Sequence, residues 1–158
     1  MLISSFWLPI YFLFFDSKLE LSEVLYLASI YFVSVVVIEV PSGWFSDQFG
    51  RRKTLITASV SLCLAYTLFL FANSFEAFAI AQIFLAGGIA FNSGTDTSFL
   101  LESTQALNEP DTYPQLEAKA VKYGFLGTAA AGILGGLAAI PDYRGAYALS
   151  LAGGIGLL

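Results

Sequence analysis

The sequence predicts an all-α membrane protein, a polytopic bundle of about six transmembrane helices. Of its 158 residues, 57% are hydrophobic and 12% are charged, whereas a soluble domain carries about a quarter charged residues. The segments 54–75, 77–95 and 123–141 contain no Asp, Glu, Lys or Arg. Each is close to the roughly 20 residues that cross a bilayer core as a helix. Their continuous apolar character disfavours a membrane barrel, and their length disfavours a buried soluble bundle.

Hydrophobic segments and the polar breaks between them define the expected spans. The six spans are about Met1–Phe15, Ser22–Ser42, Lys53–Ala72, Ala77–Glu102, Lys119–Ile140 and Arg144–Leu158. Ser22 is the predicted N-cap of the second span. The first span reaches only about 22 Å as a helix, against a bilayer core of roughly 30 Å, and the sixth is similarly short. We therefore interpret the chain, residues 1–158, as a fragment whose first and last helices are truncated.

The cations between the spans predict the orientation. One side carries five of them and the other carries two: Arg51, Arg52, Lys53, Lys119 and Lys122, against Lys18 and Arg144. Short cytoplasmic loops are enriched in Lys and Arg. The N-terminus, the loop 43–55 and the polar connector 103–118 are therefore predicted to lie in the cytoplasm.

Composition also disfavours several classes of function. The chain has no His and a single cysteine, Cys63, so an internal disulfide, a cysteine-based metal site and histidine chemistry are absent from the sequence. No basic patch with interleaved aromatic residues supports nucleic-acid binding. No nucleophile–base pair is recognisable, so we expect neither an enzyme nor a metal site.

The segment between the second and third spans is the most informative motif. Gly43–Leu55 reads GWFSDQFGRRKTL, with one carboxylate, two glycines that permit a tight turn, and three consecutive cations. It resembles the signature of the major facilitator superfamily. The matching positions are Gly43, Asp47, Gly50, Arg51, Arg52 and Leu55, whereas Phe45 and Ser46 depart mildly and Gln48 replaces a usual cation.

The resemblance extends beyond this segment. Glu39-Val40-Pro41-Ser42-Gly43 is similar to the lead-in of many bacterial members, and 93–103 is similar to their fourth-span ending. Gly127, Gly135 and Gly136 match part of a fifth-span pattern of antiporters, although Ala131-Gly132 replaces its central Gly-Pro. The fourth-span arginine linked to proton coupling in drug antiporters is missing from 81–85.

The resemblance implies the N-terminal six-helix half, a 3+3 inverted repeat, of a secondary transporter. Such a protein moves a small-molecule substrate by alternating access, driven by a proton or sodium gradient and not by a cofactor. It lies in the plasma membrane, the inner membrane of a bacterium, with the lipid bilayer and the missing C-terminal six-helix half as partners. Efflux is slightly favoured over uptake by the aromatic first span and the partial glycine pattern. The alternative is a helical half that does not transport, either an assembly partner or a non-functional fragment.

Three charged residues are candidates for a latch at the cytoplasmic side. Asp47 and Arg51 are four residues apart and pair if their segment is helical. Glu102 is predicted to end the fourth span at the same level, where a carboxylate accepts hydrogen bonds from a guanidinium. The resemblance implies that this cluster holds the outward-open state together. Alternatively, the three are solvated loop charges that only fix topology.

Four further residues are candidates for coupling or substrate contacts. Glu39 lies inside the membrane edge, where an ionisable group is costly; it either carries a proton or fixes the partner half, or it hydrogen-bonds across helices. Asn92 and Asp96 contact a cation, proton or substrate, or they form a structural hydrogen bond. Tyr11 belongs to an aromatic run that fits an interfacial belt, or it lines the cavity.

Glycines of the fifth span are predicted to serve helix packing. Gly127, Gly132, Gly135 and Gly136 are small enough to let membrane helices approach closely. A hinge in the fifth span is the alternative interpretation.

Overall fold

The computed structural model describes residues 5–93 and 95–156, and regular secondary structure in these ranges is entirely helical. The helices are α1 (Tyr11–Asp16), α2 (Leu21–Phe49), α3 (Arg51–Phe71), α4 (Phe75–Asn92), α5 (Thr95–Ala106), α6 (Tyr113–Ala138) and α7 (Arg144–Ile155). Short 3-10 turns cover Leu8–Ile10 and Pro110–Thr112. The predicted all-α class is confirmed for the described residues.

Four helical segments are long and apolar enough to cross a membrane. They are Leu21–Phe49, Arg51–Phe71, Phe75–Ala106 and Tyr113–Ala138, the third of which combines α4 and α5. With 6 and 12 residues, α1 and α7 reach only about 9 and 18 Å. The chain is therefore a multi-pass membrane protein, while the count of six spans and the inverted repeat stay predictions.

The segment predicted as the loop 43–55 is helical on both sides of a single residue. α2 continues through Phe49 and α3 begins at Arg51, so Gly50 alone forms the turn. Its φ of 87° lies in a region that glycine adopts without a steric penalty. Gly43 lies inside α2 instead. The loop prediction is wrong because one glycine reverses the chain and leaves the neighbouring polar residues on helix ends, where water still reaches them.

Two other predicted boundaries differ at helix starts. Glu20, not Ser22, is the N-cap of α2, and its backbone N–H donates to Glu23 Oε2 at 3.1 Å. The connector 103–118 is mostly helical, since α5 extends to Ala106 and α6 begins at Tyr113. Pro114 does not prevent this helix, because proline in a first turn lacks only an N–H that would have no helical partner.

The predicted fourth span is interrupted. α4 ends at Asn92, and Ser93 leaves the helix with φ −57° and ψ 120° before α5 begins at Thr95. Asn92, Ser93 and Thr95 surround this break with polar side chains. The break moves Asn92 and Asp96 onto two separate helix ends.

An aromatic core fills the end of the bundle near α1. Phe14 and Phe15 of α1 are fully buried, and they contact Phe69, Phe78 and Tyr147. Ring centroids lie 4.6 Å apart for Phe14 and Tyr147 and 5.2 Å apart for Phe15 and Phe78. Phe14 and Phe15, which belong to the aromatic run of the first segment, therefore pack inside the bundle.

Close packing of α3 on α4 holds the centre of the bundle. A Cβ added at Gly88 would lie 2.5 Å from Leu62 Cγ and 3.1 Å from the Ala58 carbonyl oxygen. Ser61 Oγ also donates to the Phe84 carbonyl at 2.7 Å. Small residues at this contact let the two backbones approach, as in other membrane helices.

Two helices present apolar faces outward. In the most apolar windows of α2 and α6, only 11% of the residues are buried. The exposed side chains include Phe32, Val36, Val40 and Trp44 on α2 and Phe125, Ile133 and Leu137 on α6. These faces are suited to lipid or to another apolar surface.

Candidate functional site

Arg51 forms the centre of a polar cluster at the turn between α2 and α3. The turn at Gly50 makes Arg51 the first residue of α3. Its Nη1 donates to Asp47 Oδ1 at 3.0 Å and to Ser46 Oγ at 2.7 Å, and its Nε donates to Glu102 Oε1 at 3.1 Å. We name Ser46, Asp47, Arg51 and Glu102 the Arg51 cluster. It joins the ends of α2, α3 and α5.

The electrostatics of the Arg51 cluster are those of an accessible ion pair. The Arg51 side chain is 24% exposed, whereas those of Asp47 and Glu102 are 67% and 54% exposed. Exposed pairs contribute only about 0.2–1 kcal/mol each. The two ion pairs therefore link three helices and contribute little to the stability of the fold.

The other predicted signature residues lie in different environments. Gly50 forms the turn, whereas an added Cβ at Gly43 has no atom within 4 Å. Arg52 is exposed and forms no ion pair with any described residue. Ser46, whose side chain is buried and hydrogen-bonded to Arg51, is a residue that sequence reasoning missed. A sequence-based prediction that continued α2 beyond Gly43 would have placed Ser46 near Arg51.

A cavity of about 620 Å³ lies between α3, α4, α5, α6 and the segment before α1. Asn92 at the end of α4 and Asp96 in the first turn of α5 both line it, so the structure brings these two predicted residues together. Asp96 is exposed, and its Oδ1 accepts the backbone N–H of Thr97 at 2.9 Å.

Several residues of this cavity were not recognisable in the sequence. Glu117 of α6 lines it together with Ala120, Val121 and Gly124, one face of a helix. That face is visible only once α6 is known to begin at Tyr113. Trp7, Tyr66 and Tyr123 supply aromatic surface, and Trp7 Nε1 donates to the Tyr66 hydroxyl at 3.3 Å.

Tyr11 lines a second, smaller cavity of about 330 Å³. Trp7 and Leu85 belong to the walls of both cavities. The Tyr11 hydroxyl accepts a hydrogen bond of 2.6 Å from Gln82 Nε2, and Gln82 is fully buried. This hydrogen bond ties α1 to α4 between the two cavities.

Glu39 is exposed on α2 and its carboxylate makes no hydrogen bond with a described residue. The expected bond across helices is made instead by Ser42 of the same motif. The single hydrogen of Ser42 Oγ is shared between the Glu39 carbonyl at 2.8 Å and the Ala90 carbonyl of α4 at 3.1 Å. Glu39 thus lies apart from both cavities.

The α6 glycines have unequal surroundings. At Gly135 an added methyl group would overlap the Phe6 carbonyl, so α6 and the segment before α1 approach closely there. At Gly132 and Gly136 no atom lies within 4 Å of such a group, and Gly127 is half-buried.

A second polar group lies just after the C-terminal ends of α1, α3 and α6. Arg144 Nη2 donates to Asn73 Oδ1 at 2.7 Å. Lys18 Nζ lies 5.3 Å from the centre of the Phe14 ring. Partial burial lowers the pKa of Lys18, and repulsion from Arg144 adds to this, whereas Asp142 opposes it. Helix direction places this group at the end opposite the Arg51 cluster.

The geometry and motifs agree with one family of membrane proteins. A family model of the Major Facilitator Superfamily matches residues 1–103. The chain belongs to the major facilitator superfamily. The matched residues of this superfamily chain include the whole Arg51 cluster, Asn92 and Asp96, and members of the family are transporters and not enzymes. Comparisons with curated proteins and with solved structures find no significant match.

Proposed function

We propose that this chain works in a secondary transporter that moves a small solute by alternating access, with the Arg51 cluster as its gate latch. The observation that carries the proposal is the guanidinium of Arg51, which bonds Asp47 at 3.0 Å and Glu102 at 3.1 Å. These contacts connect the α2–α3 turn to the end of α5. A movement of α5 relative to that turn breaks the Glu102 contact first.

The energetics of the latch support a reversible gate. Two exposed ion pairs together contribute roughly 0.4–2 kcal/mol, which shifts a two-state equilibrium by about two- to thirty-fold. A latch of this strength biases the outward-open state without locking it. Binding of a solute or a coupling ion can therefore reverse the preference.

The proposed topology follows from the charges. The Arg51 cluster and the N-terminus lie in the cytoplasm, and the Lys18–Arg144 group lies on the other side of a plasma membrane, the inner membrane of a bacterium. The count of five cations against two supports this orientation. Efflux driven by a proton or sodium gradient is favoured over uptake by the aromatic first segment and the partial glycine pattern of α6.

The outward apolar faces support a helical partner. We propose that a second six-helix half packs on part of the exposed surface of α2 and α6, with lipid covering the remainder. Phe32 and Val40 of α2 are 66% and 80% exposed, which gives such a partner an apolar surface. Glu39, exposed beside Val40, is positioned to fix that partner or to carry a coupling proton.

Charge reversal tests the latch. We expect Arg51→Glu and Glu102→Arg each to lower solute flux about five-fold or more in proteoliposomes with an imposed gradient. The double variant restores part of the flux because the opposite charges face each other again. Arg52→Glu is the matched control, since Arg52 has no ion pair with a described residue. Absence of rescue in the double variant would contradict the latch.

A helical half that does not transport by itself is the second candidate function. The large apolar faces of α2 and α6 favour it, because a complete transporter covers much of such surface with its second half. Flux of cationic, anionic and neutral solutes through the reconstituted chain distinguishes the two functions. Flux that exceeds empty vesicles supports the transporter, and its absence for every solute supports the assembly partner.

A further inference from the structure

The larger cavity has a one-sided charge. Two carboxylates, those of Asp96 on α5 and Glu117 on α6, line it, and no Lys or Arg is among its lining residues. Asn92 and Thr97 add neutral polar groups. The cations nearest in sequence, Lys119 and Lys122, are exposed and are not among the lining residues. An anion inside this cavity would meet repulsion, whereas a cation would meet two opposite charges.

Aromatic rings make up a second part of the cavity wall. Trp7, Tyr66 and Tyr123 line it. Trp7 and Tyr66 are 8% and 2% exposed and share the hydrogen bond of 3.3 Å, so their rings are held in place. Tyr123, which is 65% exposed, has a ring face open to a ligand, and such faces attract cations. Carboxylates and ring faces therefore favour the same sign of ligand charge.

The volume sets the size of the ligand. At about 620 Å³, the cavity lies within the roughly 300–1,000 Å³ of sites that take drug-sized molecules. Apolar side chains such as Leu62, Leu85 and Ile89 complete its wall. A hydrated inorganic cation would leave this apolar and aromatic surface without a counterpart. A molecule with an apolar body uses all of it.

We propose that this cavity binds an organic cation with an apolar body, such as a hydrophobic amine or an onium ion. The cationic centre lies near Asp96 and Glu117, and the body packs against Trp7, Tyr123 and the leucine-rich wall. The proposal rests on the proposed function, because it names the substrate class of the transporter. It makes Glu117, which the sequence did not single out, and Trp7 of the aromatic first segment residues that determine specificity.

The test uses two ions of the same shape and opposite charge. The full chain in lipid nanodiscs is equilibrated with tetraphenylphosphonium or tetraphenylborate, and binding to empty nanodiscs is subtracted. We expect saturable binding of the phosphonium and none of the borate. Asp96→Asn and Glu117→Gln each weaken phosphonium binding about tenfold, whereas Glu109→Gln, which changes an exposed carboxylate outside the cavity, leaves it unchanged.

Each outcome decides the proposal. Stronger binding of the borate, equal binding of both ions, or binding that ignores Asp96→Asn and Glu117→Gln overturns the cation class. Binding of neither ion overturns it as well. The flux and charge-reversal experiments on Arg51 and Glu102 are independent of this result. A functional latch with failed phosphonium binding refutes the substrate class alone, and phosphonium binding without flux in any solute class refutes transport alone.

Discussion

At the scale of single residues, Gly50 and Arg51 explain how a charged motif is built between two membrane helices. The backbone of Gly50, with φ 87° and ψ 154°, belongs to a region that is essentially limited to glycine. The reversal at this residue puts Arg51 next to Asp47 and Ser46 of the preceding helix. The glycine therefore acts through geometry and the arginine through charge.

Two glycine substitutions with opposite expected effects on stability test whether Gly50 alone forms the turn. Gly50→Ala forces an L-residue into that conformation, so we expect it to lower the free energy of unfolding by about 1–3 kcal/mol. Gly43→Ala adds a methyl group with no neighbour within 4 Å inside α2. Because alanine favours a helix over glycine, we expect it to raise the free energy of unfolding by about 0.5–1 kcal/mol. Thermal unfolding of both variants in detergent measures the difference. Equal effects of the two substitutions would contradict the single-residue turn.

At the scale of helices, the contact of α3 with α4 is the most extensive between described elements, and Gly88 lies within it. The backbones approach closely because Gly88 faces Leu62 and the Ala58 carbonyl. α6 is different, since Gly132 and Gly136 face open space while Gly135 meets the Phe6 carbonyl. A glycine-rich helix therefore need not be packed along its whole length.

Valine substitutions distinguish packed glycines from free ones. Gly88→Val overpacks the α3–α4 contact, and we expect it to lower stability by about 1–3 kcal/mol. Gly136→Val places the same side chain on a helix with no neighbour within 4 Å, so its effect is expected to be much smaller. Leu62→Ala in the Gly88→Val background makes room and restores part of the lost stability. The melting temperatures of the unchanged chain, Gly88→Val, Gly136→Val and the double variant measure these effects. A double variant no more stable than Gly88→Val would argue against the contact.

At the scale of the whole molecule, the two polar groups at opposite ends of the bundle define its axis. The Arg51 cluster connects α2, α3 and α5 at one end. At the other end Arg144 hydrogen-bonds Asn73 and Lys18 lies over the Phe14 ring. The apolar faces of α2 and α6 lie between these ends, as expected for a protein whose middle is in lipid.

Cysteine labelling tests the proposed orientation. In a Cys63→Ser background, Arg52→Cys and Glu76→Cys place single thiols on exposed positions at the two ends. With the Arg51 cluster in the cytoplasm, a membrane-impermeant maleimide labels Glu76→Cys in intact cells and Arg52→Cys only after the membrane is opened. The reverse pattern would show that the charge count assigns the wrong side.

The sequence by itself determined the helical membrane class, the family motif and most of the charged candidates. Charge-free segments and the register of Gly43 to Leu55 are local properties, so they are readable without a fold. Only the tertiary structure decided that the motif is two helices joined at Gly50 and that Phe14 and Phe15 are core residues. It also brought Glu117, Trp7 and Asp96 to one cavity. Residues so distant in sequence meet because of helix packing, and packing depends on side chains of several helices at once.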